Sequence, residues 1–164
     1  MSSWCRIPSC RPTRPPCSDA MRPEPGWHRP YLATPWLWRG RDPRGWDCWG
    51  LIAWCRPQHF GRPAADHADL YSGAMPASQA ERFDLQASLI GAHVGQWSRL
   101  DRPQPGAVVL FNVAGRPVHV GLCLGRGLFL HAHHPAGARP GVPATIIENL
   151  SAHAWARRVE GFYD

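Results

Sequence analysis

At residues 102–106, RPQPG, the hydrophobic pattern of the chain changes period. Before that point, apolar residues recur at helical spacing. In CWGLIAWC (48–55), Leu51, Ile52 and Cys55 share a face with Cys48. In 77–97, Phe83, Ala87, Ile90 and Val94 form an apolar stripe, with Leu85 and Leu89 to one side. After that point the period is two. AVVLFNV (107–113), PVHVGLCL (117–124), LFLHAH (128–133), TIIENL (145–150) and RVEGFYD (158–164) read as strands between turn residues. Helices followed by a run of strands give an α+β domain, its helices packed against one antiparallel meander. Within it, GRDPRG (40–45) reads as a loop, Asp47 as the N-cap of the first helix, and Pro57 as the residue that ends or kinks it.

A chain of 164 residues suits one domain. Residues 1–26 are poor in aliphatics and dense in proline, so a disordered tail is expected there, with the folded domain at 27–164. Met21, inside that tail, is an alternative start. The first 30 residues lack the apolar stretch of a secretory signal, so synthesis in the cytoplasm without a secretory address is expected. No apolar run approaches the roughly 20 residues of a membrane span, so none is expected.

The net charge is +6, and all 18 basic residues are arginine. They are scattered and form no run that would track a phosphate backbone, so nucleic acid is not an expected partner. An anionic polymer such as bacterial cell wall also suits a basic surface, although charge alone does not select it.

Of six cysteines, Cys5, Cys10 and Cys17 lie in the tail. Cys48 and Cys55 are seven residues apart on one helix, a rise of about 10 Å. That is too far for a bridge. Cys48, Cys55 and Cys123 therefore read as thiols. Cys48 differs from the other two in following the cap Asp47, where the helix dipole and the first N–H groups favour a thiolate. Such a nucleophile needs a base, and His119 and His131 sit inside apolar strands, where each ring needs a partner. Cys55 and Cys123 read as core filling. His133 and His134, beside a Pro/Gly loop, read as solvent-facing. Trp46 and Trp49 either line a groove or cover the helix.

GWDCWGL, then PGAVVLF, then HVGLCLGRGLFLH, in that order over about residues 30–164, resemble the motif series of the NlpC-type cysteine peptidases. The resemblance implies a papain-like α+β fold, with N-terminal helices on a C-terminal antiparallel sheet of about five strands. It also implies a peptidase that cleaves peptidoglycan stem peptides at the bond between D-γ-glutamate and a diamino acid. Cys48 takes the place of the nucleophile, His119 of the base and His131 of the group that orients the base. Tyr31 and Asp47 fall where the family contacts substrate, and Trp49, standing where serine is common, is taken as a third substrate-binding residue. Gly106-Ala107 replaces the usual Gly-Asp. No metal or cofactor is implied. The Trp-rich motif and the terminal GFYD are most similar to the branch found in phage tails and gene-transfer particles, which implies delivery by a particle and tail proteins as partners.

Two other readings remain open. In one, Cys48, His119 and His131, with or without His133, hold zinc, although no Cys/His pair has the usual close spacing. In the other, the domain is an inactive component that binds cell wall or tail proteins. The hairpin around GRG (125–127) decides whether His119 and His131 meet. A three-residue loop with Gly127 left-handed would set His119 opposite His133, with His131 diagonal to it on the same face.

Overall fold

The computed structural model describes residues 23–67, 70, 73–134 and 144–164. The expected tail lies outside the described residues up to position 22, and with it Cys5, Cys10 and Cys17. A short 3-10 turn, Arg29–Tyr31, leads to a small hairpin of β1 (Arg41–Asp42) and β2 (Gly45–Trp46). GRDPRG is thus a hairpin rather than a plain loop. It is followed by α1 (Cys48–Phe60), α2 (Gln79–His93), β3 (Arg99–Leu100), β4 (Val108–Val113), β5 (Arg116–Gly125), β6 (Leu128–Ala132), β7 (Thr145–Asn149), α3 (His153–Ala156) and β8 (Val159–Tyr163). This is the expected α+β arrangement.

The large sheet has six antiparallel strands in the order β3-β8-β4-β5-β6-β7. The expected meander holds from β4 to β7. The last strand departs from it: β8 returns to the far side of β4 and picks up the short β3 as a sixth strand. Side chains alternate across the sheet. Val108, Leu110, Val120, Leu122 and Leu130 pack with Trp46, Leu51, Ile52 and Cys55 on the α1 side. Val109, Phe111, Cys123 and Phe129 pack with Trp155 on the other. Cys55 and Cys123 are therefore core residues, on opposite sides of the sheet. Gly121 has no room for a side chain, because a Cβ there would lie 2.7 Å from the Phe129 ring.

Pro57 does not end α1. The helix runs on to Phe60 and closes on Gly61, which is left-handed (φ 60°) and donates its N–H to the Arg56 carbonyl. An interior proline costs about 3 kcal/mol. Burial of Phe60, 5% exposed, and the glycine cap offset that cost. One turn earlier, Arg56 is buried, donates to the Gly106 carbonyl at 3.0 Å and pairs with the Asp164 carboxylate. This fixes α1 against the start of β4 and the end of β8.

In α2, Ser78 and Glu81 form a reciprocal capping box. No residue of α2 is fully buried. Among the described residues, no helix is long and apolar enough to cross a membrane.

Candidate active site

α1 begins at Cys48 because Asp47 stops the extended chain (φ −87°, ψ 174°) and accepts the Gly50 N–H at 2.6 Å. Gly50 lies so close to the β1–β2 hairpin that a Cβ would come within 1.9 Å of the Gly40 carbonyl oxygen. Arg41, projecting from β1, donates to the other Asp47 oxygen at 2.6 Å and to Asp66 at 2.6 Å. Asp47 is 3% exposed and engaged on both oxygens, as cap and as ion-pair partner. Burial pushes its carboxyl up, while Arg41 and the N–H groups of Gly50 and Trp49 pull it down.

Cys48 is buried, 6% exposed, and its thiol does not keep its ordinary value. Burial pushes it up to about 12, and the Asp47 charge adds to that. The Val120 N–H, Arg41 and the Trp49 N–H oppose the shift without reversing it. The thiolate favoured by a helix N-terminus is thus absent at rest. The residue that starts the helix also sets a carboxylate beside the sulfur and occupies N–H groups of the first turn. Cys55 and Cys123 are also raised to about 12, burial again being the largest cause.

His119 lies on β5 opposite Phe111, on the face away from α1. Its ring stacks on Phe111 and Trp155 with centroids at 5.9 and 5.6 Å. Its Nε2 is 2.8 Å from His131 Nδ1. His131, 0% exposed, places Nε2 2.8 Å from Glu148 Oε2, which also accepts the Trp155 indole N–H at 2.6 Å. The hairpin puts the two rings together by an unexpected device. The turn has two residues, Arg126 (φ 53°) and Gly127 (φ 76°), both left-handed as in a type I′ turn. An irregularity between Cys123 and Gly125 then shifts the pairing to Leu122 with Leu130, so His131 falls diagonal to His119.

The bonds set the protonation pattern. Burial drives His119 well below the ordinary imidazole value and His131 down to about 3, with neighbouring imidazoles adding to both shifts. Both rings are neutral at pH 7, with one N–H each. The Glu148 carboxylate accepts, so the His131 proton is on Nε2 and its Nδ1 is bare. His119 must then donate from Nε2, which leaves its own Nδ1 with a free lone pair.

Cys48 and His119 line the same cavity, about 410 Å³ in volume, which wraps the end of the sheet. Val118, Arg82 and Arg158 also border it. On its other side Cys48 borders an apolar cavity of about 70 Å³, walled by Trp49, Leu89, Ile90, Val94 and Trp97. Ile90 and Val94 of the apolar stripe face this hollow together with Leu89, whereas Phe83 borders the larger cavity. Of the tryptophans left open above, Trp46 is fully buried core, while Trp49 lines this smaller hollow and donates its indole N–H to the Ala65 carbonyl at 2.9 Å. Tyr31 sits elsewhere. It packs with Trp27 and His59, its hydroxyl 2.8 Å from His59 Nε2, and borders neither cavity.

His134 is exposed, as expected. His133 is not simply solvent-facing. It is half-buried with ring centroids 5.5 Å from His119 and 5.6 Å from His131. The sequence reading also missed Glu148 and Trp155. The available signal was an acidic residue inside the short apolar strand TIIENL. α3 itself is a single turn with no periodicity to detect.

A model of the NlpC/P60 family matches residues 33–163. Protein P54 of Enterococcus faecium is 28% identical over 105 residues, which make up 64% of this chain and 16% of that protein. The chain thus spans about a sixth of that relative. The crystal structure of an NlpC/P60 family protein from Bacillus cereus matches with a TM-score of 0.50 at 17% identity, over 82% of this chain and 36% of that one. It supports the fold. The NlpC/p60 domain of the peptidoglycan hydrolase SagA matches with a TM-score of 0.48 at 19% identity, over 82% of this chain and 89% of that domain.

Proposed function

Because the chain belongs to the NlpC/P60 family, whose members are generally cysteine peptidases and peptidoglycan hydrolases, we propose that it hydrolyses peptide bonds in peptidoglycan stem peptides. The bond is the one between D-γ-glutamate and the diamino acid. The observation that carries this reading is the cavity shared by Cys48, at the start of α1, and His119, hydrogen-bonded to His131.

The resting pair is neutral thiol and neutral imidazole. His119 Nδ1 takes the Cys48 proton as the sulfur attacks the scissile carbonyl, so charge separation develops along the reaction rather than beforehand. The resulting imidazolium is stabilised through His131, whose Nε2–H is held by Glu148. The N–H of Cys48, at the helix start, faces the developing oxyanion. His119 then protonates the leaving amine, and water releases the acyl-enzyme. Arg82 and Arg158 suit a substrate carrying free carboxylates. Delivery on a phage tail or similar particle, with tail proteins as partners, belongs to the same proposal. It rests on the resemblance of GWDCWGL and GFYD to that branch.

The test is mass spectrometry of purified peptidoglycan after incubation with the protein or with Cys48→Ala. Stem peptides cut after D-γ-glutamate by the first and not by the second are the expected result. Intact stem peptides in both, from walls of each common diamino acid, would remove the proposal.

A further inference from the structure

We propose that His119, His131 and His133 form a site for one divalent transition-metal ion of the zinc class, and that the ion switches off the base. One ring nitrogen from each of the three lies within 4.8 Å of the others. The set differs from the zinc reading of the sequence in leaving out Cys48. Metal binding stands on the imidazoles alone, while the inhibition rests on the proposed peptidase function.

Two features favour an ion over a mere cluster of rings. His131 is already arranged as a ligand: Glu148 holds its Nε2–H at 2.8 Å, so the Nδ1 lone pair points into the cluster. A carboxylate behind a histidine is the usual backing of a metal ligand. The His133 ring makes aromatic contacts with His119, His131 and Trp155 but no hydrogen bond among the described residues. Toward the described residues its nitrogens are thus uncommitted.

The spacing is close to what an ion needs. Bonds of about 2.0–2.1 Å in a tetrahedron set ligand nitrogens about 3.4 Å apart. The His119–His131 pair, at 2.8 Å, must open slightly. His133 must swing inward, which a half-buried side chain just beyond the end of β6 can do. Arg158 is the unfavourable charge nearby, and Glu148 opposes it.

The inhibition follows from proton position. The ion takes the Nε2 lone pair of His119, and the one proton of that ring moves through solvent from Nε2 to Nδ1. No net proton is lost. The nitrogen that would accept the Cys48 proton is then already protonated, so the thiol has no base.

Zinc chloride and, as a spectroscopic probe, cobalt chloride would be titrated into the metal-free protein. Calorimetry should give one ion per chain. Cys48→Ala should bind equally and show no cobalt–thiolate charge-transfer band. His133→Gln should weaken binding at least about tenfold, and Glu148→Gln by about tenfold. Near-ultraviolet circular dichroism would establish that each variant is folded. If His133→Gln proves unfolded, His133→Asn takes its place. In the stem-peptide assay, the ratio of activity with zinc to activity without should fall at least about tenfold in the wild type, with EDTA restoring it, and should stay near one in His133→Gln. No saturable binding, binding lost in Cys48→Ala, or binding untouched by both His133→Gln and Glu148→Gln would each overturn the site. Binding without inhibition would overturn the switch and leave the site. Absence of activity in every sample would count against the peptidase function and leave the calorimetric result standing.

Discussion

Between Trp155 and His119 the hydrogen bonds converge on one carboxylate: the indole and the His131 ring both donate toward Glu148, and His119 donates to His131. Glu148 thereby sets the tautomer of a ring it does not touch, as a positioning residue. Glu148→Ala is expected to lower kcat about ten- to hundredfold with KM little changed. Glu148→Gln, whose amide oxygen still accepts both donors, should lose less. His131→Asn should keep measurable turnover, His131→Ala should lose more, and His119→Ala nearly all. If Glu148 acts only through His131, the double variant His131→Ala/Glu148→Ala will be no worse than His131→Ala. Additive losses in that cycle would contradict it. The thiol gives a second test. With its folded value raised to about 12, the thiolate fraction grows about tenfold per pH unit across the neutral and mildly alkaline range. Iodoacetamide should therefore label Cys48 ever faster from pH 6 to 9, ahead of Cys55 and Cys123, which are 0% and 1% exposed. A rate that levels off near pH 7 would show a preformed thiolate–imidazolium pair instead.

Whether an element could be read from the sequence depended on how far its signal was local. α1, α2 and the five main strands announce themselves by period, and Asp47 by cap chemistry, because those signals lie within a few residues. β3 has two residues and exists only because β8 lies beside it. Pro57 misled because the burial of Phe60 is a tertiary term. The His119–His131 register was reached through an irregularity after Cys123 that no turn rule contains. Glu148 and Trp155 join the site from β7 and α3, and only folding makes them neighbours. The start of α1 is where the fit of elements is tightest. A methyl group on Gly50 would collide with backbone of the β1–β2 hairpin, which cannot rotate away. Gly50→Ala should cost about 2–3 kcal/mol and lower the thermal midpoint by about 5–10 °C. Activity should fall further than stability, since the start of α1 carries Cys48. A midpoint within a degree of the wild type would mean that the hairpin yields freely.

For the whole molecule, the buried imidazoles make stability depend on acid. His131 titrates near 3 when folded and near 6.5 when unfolded, so below the higher value the unfolded chain binds the extra proton. Its contribution is complete above about pH 6.5 and is lost as the pH falls toward 3, and His119 acts in the same direction. Unfolding free energies from urea titrations at pH 7 and pH 5 should differ by about 1–2 kcal/mol through His131. His131→Asn should narrow that difference, and an unchanged difference would show that carboxylates control it. The strand order bears on how the molecule is made. β4 is central in the sheet, yet one of its partners, β8, is synthesised about 50 residues later. Residues 33 and 34 hydrogen-bond to residues 144 and 145. Neither join can form while the later segment is still on the ribosome. A nascent chain therefore carries α1 and its cysteine without a finished sheet behind them. Such long-range closure makes folding slow, on the order of milliseconds to seconds. The sheet that backs Cys48 and His119 is completed only after translation has passed residue 163, so under the proposed peptidase function the nascent chain would be inert while it is being made.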